Sequence, residues 1–189
     1  MSDTVYCYPG TDVLKNKLNI QNAGRLLEAE RKLTMLRLLE LLEQPVTGAF
    51  DYEHLKAIHG YIFQDIYDWA GQEGVVDIAK GNMFCSVRFI TEQADILFAE
   101  LKADKYLANL PKESFIKKLA YYLSEINALH PFREGNGRTQ REFIRALAIK
   151  NGYQIKFANV SEKEMIKASQ ASFLRDYTLM EKLLAEAIQ

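Results

Sequence analysis

Apolar residues recur at helical spacing through almost the whole chain, and only the stretch 75–89 breaks the rhythm. Residues 23–43 carry Leu26, Ala29, Leu33 and Leu36 on one face and stop before Pro45 and Gly48. The pattern returns over 52–70 with Leu55, Ile58, Ile62 and Ile66, over 91–108, and over 114–129 with Phe115, Leu119, Tyr122 and Ile126. A fifth helix is predicted over 139–150, ended by Asn151 and Gly152. Ser161 followed by Glu164 reads as a capping box that starts a sixth, and 179–188 reads as a last one. In 75–89, by contrast, β-branched residues flank Lys80-Gly81-Asn82, which predicts a short β-hairpin. The fold class is therefore mostly α with one small β-flap. Turn signals at Pro9-Gly10, Asn16, Asn19 and Asn22 predict that residues 1–22 wrap the body as an arm.

The 189 residues fit one domain with a single core, and no repeat or linker composition divides them. The formal net charge is −1, with acids and bases mixed along the chain, so the basic stripe of a nucleic-acid or anionic-membrane binder is missing. No apolar run is long enough to span a bilayer, and the first residues lack the basic start and apolar stretch of a signal peptide. Cys7 and Cys85 then read as reduced thiols, with no zinc-type spacing to the histidines, which predicts a cytoplasmic protein.

Chemistry concentrates between the fourth and fifth helices, where 130–141 reads His-Pro-Phe-Arg-Glu-Gly-Asn-Gly-Arg-Thr-Gln-Arg. Gly135-Asn136-Gly137 can turn successive N–H groups into one concavity, and the start of a helix adds its own unpaired N–H groups and dipole. Arg138 and Arg141, three apart, share a helix face and can grip phosphate oxygens. Glu134 beside them suits magnesium, which takes one or two carboxylates together with phosphates and water. His130 is the residue here able to take a proton near neutral pH. Singly, each feature has an ordinary structural use: a turn, a core histidine, a surface ion pair. Together within twelve residues they point to nucleotide-phosphate binding.

This segment resembles the signature of the Fic family (filamentation induced by cAMP), His-x-Phe-x-Asp/Glu-Gly-Asn-Gly-Arg-x-x-Arg, at all eight specified positions. Further similarity lies in Ala57-Ile58-His59, in 65–71, in Val76-Asp77-Ile78-Ala79-Lys80-Gly81 and in Glu125-Ile126-Asn127. The resemblance implies a protein adenylyltransferase that moves AMP from ATP to a protein hydroxyl. In that scheme His130 deprotonates the hydroxyl and Glu134 holds Mg2+ across the phosphates. Gly135, Asn136 and Gly137 bind the phosphates, Arg138 stabilises their charge and Arg141 takes the γ-phosphate. Phe132 anchors the loop in the core. The flap, through Ile78, Lys80 and Gly81, pairs with an extended target segment. Relatives with kinase-like or phosphocholine-transferring chemistry alter the first glycine, whereas Gly135-Asn136-Gly137 is intact here. Some relatives with the full motif remove AMP instead.

The resemblance also implies a regulatory arrangement. Family members are commonly restrained by Ser/Thr-x-x-x-Glu followed by Gly or Asn, and no Ser or Thr of this chain has Glu four residues later. That pattern implies a toxin held in check by a separate small antitoxin protein, with DNA gyrase or topoisomerase IV as targets by resemblance to similar short toxins. A non-catalytic helical adaptor is the alternative from another class, against which stand His130 and Glu134. Outside the motif, His59 reads as a core histidine between Ile58 and Ile62, Trp69 as core, His54 as unsupported, Cys85 as a small apolar residue, and Ser169 and Ser172 as distant candidates for ribose or base contacts.

Overall fold

The computed structural model describes residues 4–80 and 82–189. Among the described residues seven α-helices are formed: α1 (Ala23–Glu43), α2 (Tyr52–Phe63), α3 (Ile90–Ala103), α4 (Lys112–Leu129), α5 (Asn136–Lys150), α6 (Glu162–Ser172) and α7 (Thr178–Ala187). Asn22 and Asp51 accept main-chain N–H bonds at the starts of α1 and α2, and Ser161 with Glu164 forms the predicted capping box of α6. The apolar spacing of α4 makes it the central helix. Its Phe115, Leu119, Ala120, Tyr122 and Leu123 are wholly buried, with α5 packed along one side and α7 along another. α2 lies on the far side of α5, and α1 lies on α2. This stacking carries the ends of α4 and α5 to one place, flanked by α1 and α2. No helix among the described residues is long and apolar enough to cross a membrane.

Four boundaries differ from the sequence reading, each for a local reason. α2 stops at Phe63 rather than 70, because Lys17 of the N-terminal segment takes the carbonyls of Gln64 (Nζ, 2.7 Å) and Ile66 (N–H, 2.8 Å). The chain then turns so that Tyr67 and Trp69 stack (centroids 4.3 Å apart). α3 ends at Ala103, where Lys105, Tyr106 and Leu107 enter the left-handed region in a short 3-10 turn. Over 75–89, strand pairing is confined to β1 (Ala79–Lys80) and β2 (Asn82–Met83), antiparallel with Ala79 opposite Met83. The other described residues of that stretch are irregular: the N–H of Phe84 bonds the carbonyl of Ile78, and that of Val87 bonds the Asp77 carboxylate. Gly81 lies outside the described residues. Finally, α5 begins at Asn136, three residues before the predicted start, so that Gly137 and Arg138 belong to its first turn.

Residues 4–22 double back on themselves through main-chain bonds from Lys15 to Tyr6 and from Tyr8 to Val13, with Tyr6, Cys7, Val13 and Leu14 buried on the body. Tyr6 reaches the region near the site: its hydroxyl accepts the N–H of Val75, and its ring meets Trp69 edge-on at 5.5 Å.

Candidate active site

α4 ends on His130, which closes the helix in the left-handed conformation (φ 48°, ψ 55°) with its N–H on the carbonyl of Ile126. A non-glycine residue is held there only when its surroundings over-determine it. The surroundings include the ring of Phe84, stacked on the imidazole at 3.7 Å and 13°, and the carbonyl of Asn127, 3.3 Å from Nδ1. A carbonyl can only accept, so Nδ1 carries the proton and the basic lone pair falls on Nε2.

Five residues separate His130 from α5. The loop is clasped from within by Asn136, whose Oδ1 accepts the N–H of Phe132 (2.9 Å) and whose Nδ2 donates to the carbonyl of Phe132 (2.6 Å). The Asn136 side chain is thereby committed to the loop, and what it offers an incoming anion is its main-chain N–H. Phe132 is buried and stacks on His59 at 3.9 Å. Gly135 caps α5 at φ 82°, and a Cβ there would stand 2.1 Å from Cζ of Phe63. Both the backbone angle and the space demand glycine.

The start of α5 offers positive partial charge. The N–H groups of Asn136 and Gly137 take no hydrogen bond among the described residues, and the dipole of α5 adds to them. Arg141 folds back over them: a Cβ on Gly137 would lie 3.2 Å from its Nη1. Among the described residues Arg141 makes no hydrogen bond or ion pair. Burial, then the charge of Arg138, pushes its pKa below the usual guanidinium value, with Glu162 opposing. A cation so placed is stabilised by an anion brought in from outside.

Glu134 stands on the rim. Its Oε1 accepts the N–H of Gly135 at 2.9 Å and lies 3.7 Å from Nη2 of Arg138. No group of three or more His, Cys, Asp or Glu among the described residues could by itself hold a metal. A single carboxylate beside open phosphate-binding groups fits magnesium, whose remaining ligands are phosphate oxygens and water.

The structure places His130, Glu134, Gly135, Asn136, Gly137, Arg138 and Arg141 along the end of α4, the loop that follows it and the first two turns of α5. Arg138 is held more tightly than sequence could say: Nη2 donates to Glu30 (2.5 Å), Nη1 to Thr34 (3.0 Å), and the plane rests 4.7 Å over Phe63. Ile78 and Lys80 lie in the 75–89 segment, which joins the site through Phe84 and through the Cys85 N–H on the carbonyl of Ala128. Ser172 donates to the carbonyl of Ser169, a helix-end bond.

Sequence reasoning missed three contributors: Phe84, Glu30 and His59 as a loop support. An aromatic ring just after the predicted turn was the one available signal for Phe84. Glu30 and His59 lie 108 and 75 residues from their loop partners, a separation that periodicity does not bridge.

Comparison with known proteins identifies the family. The sequence model of the Fic/DOC family matches residues 49–148. A Sinorhizobium fredii protein named "Probable protein adenylyltransferase y4lH" is 42% identical over 172 residues, covering 90% of this chain and 88% of that one. The Escherichia coli K12 protein named "Probable protein adenylyltransferase Fic" is 37% identical, covering 97% and 91%. Among solved structures, the N-terminal Fic domain of a VirB-translocated effector of Bartonella quintana, with bound ADP, superposes with a TM-score of 0.93 at 26% identity, covering 97% of this chain and 94% of that one. With a family match over more than half its length and relatives aligned nearly end to end, this chain belongs to the Fic/DOC family.

Proposed function

We propose that this protein is an adenylyltransferase that moves AMP from ATP to a hydroxyl side chain of another protein. The observation that carries this reading is the meeting of a fixed proton acceptor, His130, with an open helix start and an uncompensated arginine, Arg141. The names of the relatives and the ADP bound by the Bartonella quintana domain support it.

The chemistry follows from the placement. Nε2 of His130 accepts the proton of the target hydroxyl as its oxygen attacks the α-phosphorus of ATP. The bond from that phosphorus to the bridging oxygen breaks, and pyrophosphate leaves. The N–H groups of Asn136 and Gly137 neutralise phosphate charge, and Arg141 meets the terminal phosphate. Such a reaction needs positioning and charge compensation more than covalent help. Magnesium, held by Glu134, supplies further charge neutralisation when bound. Asn127 keeps the imidazole in the tautomer that can accept the proton.

An extended target segment pairs with the 75–89 segment through main-chain bonds, and Ile78, Lys80 and Gly81 are the residues assigned to that contact. In this reading the enzyme acts in the cytoplasm and is restrained by a separate small antitoxin protein. DNA gyrase and topoisomerase IV are the first targets to assay. The test is mass spectrometry of lysate proteins incubated with the enzyme, ATP and magnesium. An adenylate ester on Ser, Thr or Tyr is expected. Bare phosphate, or loss of adenylate from a pre-modified protein, would replace this reading with a kinase-type or AMP-removing chemistry.

A further inference from the structure

Glu30 lies in α1, ahead of the residues matched by the family model, and is only 6% exposed. A carboxylate buried this deeply requires partners. Oε2 accepts the hydroxyl of Tyr67, and Oε1 accepts Nη2 of Arg138 at 2.5 Å. The other terminal nitrogen of Arg138 donates to Thr34, whose hydroxyl donates in turn to the main-chain carbonyl of Glu30 at 2.7 Å. α1 therefore presents a preformed socket of Glu30 and Thr34, walled by Tyr67, into which the first turn of α5 inserts one guanidinium.

The same Nη2 lies 3.7 Å from Glu134, four residues earlier in the chain. Two carboxylates face one nitrogen, and Glu30 has the closer hold. We propose that Glu30 is a positioning residue for the transfer site, holding Arg138 against α1 so that the guanidinium does not close onto Glu134. With Glu30 neutralised, Arg138 swings to the remaining carboxylate, which sits at favourable i,i+4 spacing, and competes for the group that would hold magnesium. The loop also loses its tether to α1. The nucleotide consequence rests on the ATP reading above, whereas the loop consequence does not.

The test compares the native protein with Glu30→Gln, Arg138→Gln and the double variant. A non-hydrolysable ATP analogue is titrated by calorimetry at several magnesium concentrations, and amide hydrogen exchange is followed over 132–138. Glu30→Gln should weaken binding roughly tenfold at low magnesium, with recovery as magnesium rises, and should speed exchange in the loop. In the Arg138→Gln background it should change neither. Thr34→Val, which removes only the second partner of Arg138, should act in the same direction to a smaller degree, and serves if Glu30→Gln fails to fold. A variant that melts earlier but keeps native affinity, magnesium dependence and loop exchange overturns the proposal. If the native protein binds no analogue, the ATP reading fails. Loop exchange then decides the role of Glu30 alone: faster exchange supports it, and unchanged exchange overturns it.

Discussion

The imidazole of His59 spans two backbones: its Nδ1 accepts the N–H of Gly71 at 2.7 Å, and its Nε2 meets the carbonyl of Glu134 at 3.1 Å. Because the first partner is a donor and the second an acceptor, the ring is neutral with its proton on Nε2. It is stacked between Phe132 (3.9 Å) and Phe63 (4.7 Å), so it fixes the direction of the Glu134 carbonyl and with it the turn into α5. The sequence reading of His59 as a core residue is right about its burial and silent about this bond.

That arrangement has a consequence for pH. Burial, followed by the positive charge of Arg138, pushes the pKa of His59 down to about 4, against the opposing effects of the Glu134 carbonyl and carboxylate. The unfolded chain takes up this proton near pH 6.5 and the folded chain only near pH 4. Stability is thus full above the unfolded value and is lost as pH falls through that window, by about 3 kcal/mol in total. Denaturant unfolding at intervals from pH 7 to pH 4 should show the loss in the native protein. His59→Gln, which does not titrate, should lack this component of the slope even if it is less stable throughout. Equal slopes for the two proteins would contradict the assignment.

Gly135→Ala should be among the most damaging single-methyl changes in the chain. It forces alanine to φ 82° and drives a Cβ to 2.1 Å from the Phe63 ring. A loss of about 2–4 kcal/mol in thermal or chemical unfolding is expected. Phe63→Leu in the same protein should recover part of it, since the clash is with the ring, while the cost of the backbone angle remains.

Arg141→Ala should weaken ATP binding by about 10- to 100-fold, the value of one or two hydrogen bonds to a charged group. Because Arg141 has no ion pair to lose among the described residues, its removal should leave the melting temperature unchanged or raised. A fall in stability with unchanged nucleotide affinity would assign it to the scaffold.

Phe84→Ala removes the ring stacked at 3.7 Å on His130. The expected effect is a fall in kcat of up to about tenfold, from looser placement of the base, since an aromatic pair is worth about 0.5–1.5 kcal/mol. Nucleotide affinity should stay near native. Kinetics with a fixed target and saturating ATP separates the two.

Much of this architecture was legible because it is local. Capping residues and apolar spacing placed α1 and α6 closely, and the motif 130–141 lies where the sequence reading put it, at the junction of the fourth and fifth helices. What escaped was set by contacts between distant segments. The early end of α2 depends on Lys17, the hold on Arg138 depends on Glu30, and the support of Glu134 depends on His59. The early start of α5 escaped for a different reason. Asn-Gly-Arg reads as a loop by propensity, yet Gly135 at positive φ and the Asn136 clasp on Phe132 bring those residues into the first helical turn.

In the proposed reaction His130 drives AMP transfer from the nucleotide held at the start of α5. The most direct measurement mixes the native protein or His130→Ala with bacterial lysate, magnesium and ATP labelled on the α-phosphate. A labelled protein band with the native enzyme, absent or nearly so with His130→Ala, is the predicted result. Equal labelling by both proteins, or label entering only from γ-labelled ATP, would contradict it.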